Sequence, residues 1–312
     1  MGGKQSPLEG LVKIKKVLIT GGAGFIGAPV TDELLKRGYE VHSVIFNTRA
    51  PEHPNLVQHQ MSLMDANAVE LLLSEHHFEH LIHLAWYVGA KCQMNTSNLD
   101  WVRATLGLLQ GFHKYGGKVF LGAGTVSEYD YSYGYLQENQ TPITATTLYG
   151  QTKASIHNMA KIFCTQNDII FKWPRVFNLY GPNEKPSRLM PSVAQSMLKG
   201  EDVKVSDCLK YQDYLHVLDA ARGIVDLFES DVSGAVNISS GVPVQLRTIV
   251  NKIAELTNFK GNILWGAIPT SFDDPLVVGS NNRLVKEVGW RQQISLDDGL
   301  KDIVDFWRKH NV

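Results

Sequence analysis

Two groupings of residues in this chain have types and spacings suited to chemistry. The first is Thr20-Gly21-Gly22-Ala23-Gly24-Phe25-Ile26-Gly27, a Gly-x-x-Gly-x-x-Gly run at positions 21, 24 and 27. Glycines at such a turn let the backbone approach a pyrophosphate, and a helix that follows aims its unpaired N–H groups and positive dipole end at the phosphate oxygens. The second joins Leu148-Tyr149-Gly150-Gln151-Thr152-Lys153 to Gly122-Ala123-Gly124-Thr125 upstream. On a helix, the four-residue spacing puts the Tyr149 phenol and the Lys153 ammonium on one face, one turn apart.

A dinucleotide-binding turn combined with a hydroxyl, a phenol and an ammonium suits hydride transfer at a carbinol or carbonyl carbon. Tyr149 would exchange the proton, Lys153 would tune it and hold the nicotinamide ribose, and Thr125 would orient the substrate oxygen. A phenol titrates near ~10, so this reading expects the ammonium and a cationic nicotinamide to favour phenolate. NAD-binding turns usually have an Asp or Glu about 20 residues on, for the adenosine ribose 2′-OH. Here Val44-Ile45-Phe46-Asn47 offers no carboxylate and Arg49 follows, which favours NADP over NAD.

The elements that must position these groups are legible in the apolar pattern. VLIT (17–20), EVHSVIF (40–46), LVQHQ (56–60), HLIHLAW (80–86), KVFLGAG (118–124) and IIFKW (169–173) read as strands, with helical patterns at 25–37, 65–76, 98–114 and 149–166 between them. That rhythm predicts an α/β fold: a doubly wound parallel-sheet Rossmann domain. After Gly181 the texture changes to proline- and glycine-bearing loops with helices near 189–199, 216–229, 245–257, 281–288 and 296–310, which predicts a smaller α/β substrate domain. The run 213–228 reads as helical and returning to the first domain. The expected division is therefore a mobile tail over 1–14, a cofactor domain over 15–180 and about 211–239, and a substrate domain over about 181–210 and 240–312.

Composition narrows the setting. Thirty basic against 31 acidic residues leave a formal charge of −1, so no global field attracts nucleic acid or an anionic membrane. The three cysteines, Cys92, Cys164 and Cys208, lie far apart, no Cys/His cluster has metal-ligand spacing, and no metal is expected. No segment approaches the ~18 apolar residues of a membrane span, and a cytoplasmic protein is expected.

The motifs TGGAGFIG (20–27), HLAW (83–86), GTVSEY (124–129), YGQTK (149–153), RVFNLYGP (175–182), YQDYLHVLD (211–219) and VGW (288–290) together resemble the extended short-chain dehydrogenase/reductases that act on nucleotide sugars, the NAD-dependent epimerase/dehydratase family. Within it, HLAWYV, GTVSEYD and AVNISSG are most similar to the C4-ketoreductases of deoxysugar nucleotides. The resemblance implies that Leu63, Leu84 and Ala85, beside His83, line the cofactor and that Pro174 lies near the carboxamide. It also implies that Trp86, Tyr87 and Val88 face the sugar and that Asn178 contacts the substrate diphosphate region. A homodimer through 98–114 and 149–166 is implied as well.

Departures from the family pattern sharpen the reading. Val126 and Ser127 follow Thr125 where 4,6-dehydratases carry an Asp-Glu pair, and Glu128 comes one position late, which argues against 4,6-dehydration. Gln212 stands where an arginine usually clamps the phosphates, and a second arginine is missing near Ser271. Either Arg188 and Lys185 supply that charge or the substrate is not an ordinary diphosphate-linked sugar. Ser62 replaces an adenine-contacting Asp. The leading expectation is an NAD(P)-dependent reductase or dehydrogenase acting at C4 of a nucleotide-activated deoxyhexose in polysaccharide or antibiotic sugar assembly. A nucleotide-sugar 4-epimerase is the alternative, and a non-catalytic NADP-binding sensor is the reading from a different class.

Overall fold

The structure is a computed structural model that describes residues 15–89, 91–270 and 275–310. The expected tail over 1–14, and Ser271 with its neighbours to Asp274, lie outside the described residues.

Five strands open the chain: β1 (Lys16–Thr20), β2 (Glu40–Ile45), β3 (Leu56–Gln60), β4 (His80–His83) and β5 (Val119–Gly122). With Ile170–Val176 and Gly234–Ile238 they form a parallel sheet, running from Gly234–Ile238 through Ile170–Val176, β5, β4, β1 and β2 to β3. A two-residue strand, β6 (Gly124–Thr125), continues the line of β5 by pairing with the C-terminal end of Ile170–Val176. The strand order reverses between β1 and β4, and ligands of doubly wound sheets bind in the crevice that such a reversal opens at the strands' C-terminal ends. Val17, Leu18 and Ile19 are fully buried, as expected of a parallel strand covered on both faces.

The covering helices are α1 (Gly27–Lys36), α2 (Ala66–His76), α3 (Ser97–Lys114) and α4 (Leu148–Gln166). α1 and a later helix, Val217–Glu229, pack on one face through Val30, Leu34, Ile224 and Leu227. α2, α3 and α4 pack on the other through Leu73, Phe112, Ile156 and the sheet residues Phe120 and Trp173. Burying each such side chain stabilises the fold by roughly 1.5–3 kcal/mol. The buried Lys172 ammonium brings its partners with it: it donates to the Leu227, Ser230 and Val232 carbonyls at 2.9, 2.5 and 2.9 Å, closing the C-terminus of Val217–Glu229.

The run over 213–228 does not behave as one helix. Tyr211–His216 is a strand, paired with Asn178–Tyr180, Pro243–Gln245 and Leu276–Gly279 in a second, smaller sheet. The segment that returns to the main sheet is Val217–Ile238, and Leu284 and Trp290 join the same core from far downstream. A third core holds the rest of the C-terminal half, with Val193, Met197, Ile249, Ile253, Leu300 and Trp307 on three helices. No described helix is long and apolar enough to cross a membrane.

Candidate active site

The glycine turn lies at the strand reversal. Gly21 has φ +74°, and a Cβ there would stand 2.9 Å from the Ala85 backbone nitrogen. At Gly27 a Cβ would stand 1.9 Å from the Gly21 carbonyl oxygen. The turn is closed by Gly24 N–H to the Gly21 carbonyl at 3.0 Å and by the Thr31 hydroxyl to the Gly22 carbonyl at 3.0 Å. Ile26 leads into α1 without a side-chain cap, and the first turn carries no acidic residue, so its N–H groups and positive end face the crevice unneutralised. These features fit a dinucleotide pyrophosphate.

Thr125 is held by a buried brace. Its backbone N–H donates to Glu128 Oε1 at 2.9 Å, and its hydroxyl accepts from Ser127 N–H at 3.3 Å. The Glu128 carboxylate, fully buried, also accepts from Trp173 Nε1 at 3.0 Å and Arg175 Nε at 2.7 Å. Glu128 is thus fully engaged in fixing the turn that presents Thr125.

Tyr149 and Lys153 stand in the first turns of α4, which Thr147 caps by accepting from Gly150 N–H at 3.1 Å. The surrounding protein desolvates the phenol and pushes it up, with the Thr125 hydroxyl acting against that. In the protein alone desolvation dominates, with Glu128 adding to it, so the expected lowering of the phenol rests on the charge of a bound nicotinamide. Burial likewise lowers Lys153 to about 7, opposed by Glu128. Its ammonium donates to the Ala123 carbonyl at 2.9 Å and lies 3.8 Å from the centroid of the Trp86 ring. Trp86 in turn meets Tyr149 edge-on at 6.4 Å, stacks at a tilt on Trp101 at 5.9 Å and donates to Asn98 Oδ1 at 2.8 Å. Sequence reasoning placed Trp86 facing the sugar and missed it as the partner of Lys153.

The remaining expected residues fall in several places. Leu84 and Ala85 follow β4 beside the glycine turn, whereas His83 is a core histidine: its ring nitrogens pair with the Thr20 and Thr105 hydroxyls at 2.7 and 2.8 Å, and burial lowers it to about 3. Asn47 and Arg49 are exposed just beyond β2. Leu63 is buried after β3 and lines a cleft of about 660 Å³ between α2 and α3. Phe25 and Ile26 pack against the core beneath the turn.

Pro174 is buried in mid-strand opposite Val236, while the residue level with Thr125 is Val176, two positions on. Strand alternation also turns Pro174 to the face of Lys172 and Val176, away from α4.

On the substrate side, Asn178 donates to Gln212 Oε1 at 3.0 Å and to the Asp213 carbonyl at 3.3 Å, so its amide hydrogens are engaged within the protein. Arg188 is exposed, 3.6 Å from Glu184. Lys185 reaches across to donate to the Val88 carbonyl, beside Tyr87, whose ring folds over Gly89. Three histidines that no metal-ligand spacing links in the sequence, His42, His59 and His76, each 17 residues from the next, come together in space.

Residues 17–239 match the profile of the NAD dependent epimerase/dehydratase family. The UDP-glucose 4-epimerase of Bacillus subtilis (strain 168) is 26% identical, over 95% of this chain and 97% of its own length. The CDP-abequose synthase of Salmonella muenchen is 20% identical over 93% and 97%. Among solved structures, the UDP-glucose 4-epimerase of Thermus thermophilus in complex with NAD superposes with a TM-score of 0.82 at 25% identity, covering 95% of this chain and 100% of that one.

Proposed function

The chain belongs to the NAD dependent epimerase/dehydratase family, and from that premise we propose that it is an NAD(P)-dependent oxidoreductase acting at C4 of a nucleotide-activated deoxyhexose. The observation that carries the reading is the convergence of α4 and β6: Tyr149 is brought against Thr125 at the C-terminal edge of the sheet, and Lys153 is anchored to Ala123 two residues before it.

The bound dinucleotide supplies or takes the hydride. Gly21, Gly24 and Gly27 with the α1 N-terminus hold its pyrophosphate, Leu84 and Ala85 border the nicotinamide end, and Asn47 and Arg49 receive the adenosine ribose, where a cation and no carboxylate favour a 2′-phosphate. Tyr149 moves the proton at the C4 oxygen, Thr125 orients that oxygen, and the Lys153 ammonium stabilises the phenolate while binding ribose hydroxyls. Lys185 and Arg188 meet the diphosphate in place of the arginine that Gln212 replaces. Positions 126 and 127 carry no carboxylate and Glu128 is committed to Arg175, which supports a reaction confined to C4. Exposed Leu99, Met159 and Ile162 on α3 and α4 support a homodimer through those helices.

Incubation with 4-keto-6-deoxy nucleotide sugars and NADPH or NADH tests the reading. Cofactor oxidation with at least one nucleotide is expected, and none across the common nucleotides would overturn it. The Bacillus subtilis relative favours a second reading, 4-epimerisation. Interconversion of a UDP-hexose pair without added reductant would establish that one instead.

A further inference from the structure

On the α2 face of the sheet, away from the glycine turn, three imidazoles meet. His42 comes from the interior of β2, His59 from β3, and His76 is the last residue of α2. His42 pairs in register with Val57 and His59 with Val44, so the two histidines are diagonal neighbours on one face of adjacent strands. Their rings stack at 5.1 Å and 18°, and the His76 ring meets them edge-on at 4.7 and 5.2 Å. One ligand-capable nitrogen from each lies within 4.8 Å of the others. From this convergence we propose that His42, His59 and His76 form a binding site for a first-row divalent transition ion, Zn²⁺ in particular, that ties β2, β3 and the end of α2 together.

Two features beyond proximity support the site. His42 Nδ1 lies 2.9 Å from His59 Nε2, while His42 Nε2 lies 2.8 Å from Glu40 Oε1. A carboxylate on the outer nitrogen fixes the tautomer with its N–H toward Glu40 and leaves Nδ1 as a lone-pair donor, the outer arrangement that metal-binding histidines use. The short contact between the two rings is then a proton shared from His59. A shift of that neutral ring to its Nδ1–H tautomer frees Nε2 without any change in net charge. Four-coordinate zinc with nitrogen at ~2.0–2.1 Å needs only a modest ring rotation to open that contact, with water as the fourth ligand.

Finally, His42 is buried, but His59 and His76 are only half-buried, which gives an ion a route from solvent. Lys16, 3.9 Å from Glu40, and Phe78, packed on His42 and His76, complete the surroundings. Imidazole donors favour zinc, copper or nickel over magnesium or calcium. Bound there, the ion would stiffen the half of the sheet that carries Asn47 and Arg49.

The test uses the full-length, tag-free protein, stripped with chelator and titrated with ZnCl₂ by calorimetry and thermal melting, with MgCl₂ as control. One equivalent of zinc should bind and raise Tm, while magnesium should do neither. His59→Gln and His76→Gln, both at half-buried positions, should each weaken zinc binding at least about ten-fold, and Glu40→Gln, which keeps all three rings, by about 10–100-fold. No zinc uptake by the parent protein, or uptake undiminished in the His59→Gln and His76→Gln variants, would overturn the proposal.

Discussion

The Lys153 ammonium lies 3.8 Å from the centroid of the Trp86 indole, a residue 67 positions earlier in the chain. An aromatic face attracts a cation, by about 0.5–2 kcal/mol depending on desolvation. It therefore opposes the burial that lowers Lys153 to about 7. If the protonated amine is the working form, kcat/KM falls as pH rises through that value. Trp86→Leu removes the face, lowers Lys153 further and should move the alkaline limb of the pH profile down by roughly half to one unit. Trp86→Phe should restore most of it, and a limb that stays put in Trp86→Leu would separate the indole from the ammonium's titration.

Tyr149→Phe isolates the proton transfer. The ring that meets Trp86 edge-on at 6.4 Å is retained, and only the hydroxyl beside Thr125 is lost. Turnover should fall at least ~10²-fold with dinucleotide affinity nearly unchanged. Fluorescence titration of the cofactor beside steady-state kinetics checks both halves, and normal turnover in the variant would refute the mechanism.

The brace beneath Thr125 makes a stability prediction. Arg175 and Glu128 form a fully buried ion pair at 2.7 Å, and Glu128 also holds the Thr125 N–H. Arg175→Met strands a buried carboxylate, which should cost about 3–5 kcal/mol in denaturant unfolding. The double change Arg175→Met with Glu128→Gln should recover part of that loss, because the uncompensated charge is gone. Activity should not recover in parallel, since the Thr125 turn would still lack its ionic anchor.

What was legible in the sequence was local. The glycine turn and the Tyr149/Lys153 pair are visible because their spacing within one turn or one helix fixes their geometry. The short apolar runs revealed six strands of the main sheet for the same reason, whereas Gly234–Ile238 was not read as a strand. What escaped was set by topology. Glu128 meets Arg175 across 47 positions, and the three histidines converge from two strands and a helix end. The run over 213–228 reads as one helix because the apolar residues of 213–216 continue the pattern that follows, yet Tyr211–His216 is a strand whose backbone partners lie in three distant segments.

Gly27→Ala probes the cofactor cradle. The added methyl would stand 1.9 Å from the Gly21 carbonyl oxygen, a backbone atom that cannot swing aside as a side chain could. The turn must open, displacing the N–H groups that face the pyrophosphate. The thermal stabilisation that NAD(H) or NADP(H) gives the parent protein should shrink to near zero in this variant. Gly107→Ala, on α3 with no atom within 4 Å of its added methyl, is the matched control and should keep the full shift.

Glu184 gives a pH dependence whose sign can be worked out. Its carboxylate is nearly buried, Oε2 has no hydrogen-bond partner, and the nearest cation, Arg188, is 3.6 Å away and exposed. Burial raises the group from 4.5 to about 7, with Arg188 pulling weakly the other way. The folded protein therefore binds this proton more tightly than the unfolded chain does. Below about pH 4.5 the carboxyl is protonated in both states and costs nothing. Between 4.5 and 7 the unfolded chain ionises first, so stability declines as pH rises, and above 7 the whole penalty is present. Glu184→Gln keeps the shape and removes the charge, so it should stabilise the protein by on the order of 1–3 kcal/mol at pH 8 and by almost nothing at pH 4.5. Denaturation curves for both proteins at several pH values measure the gap directly. A gap that stays constant with pH would mean that the carboxylate is solvated in solution, and Lys185 and Arg188 would then be left as the charged groups governing that loop.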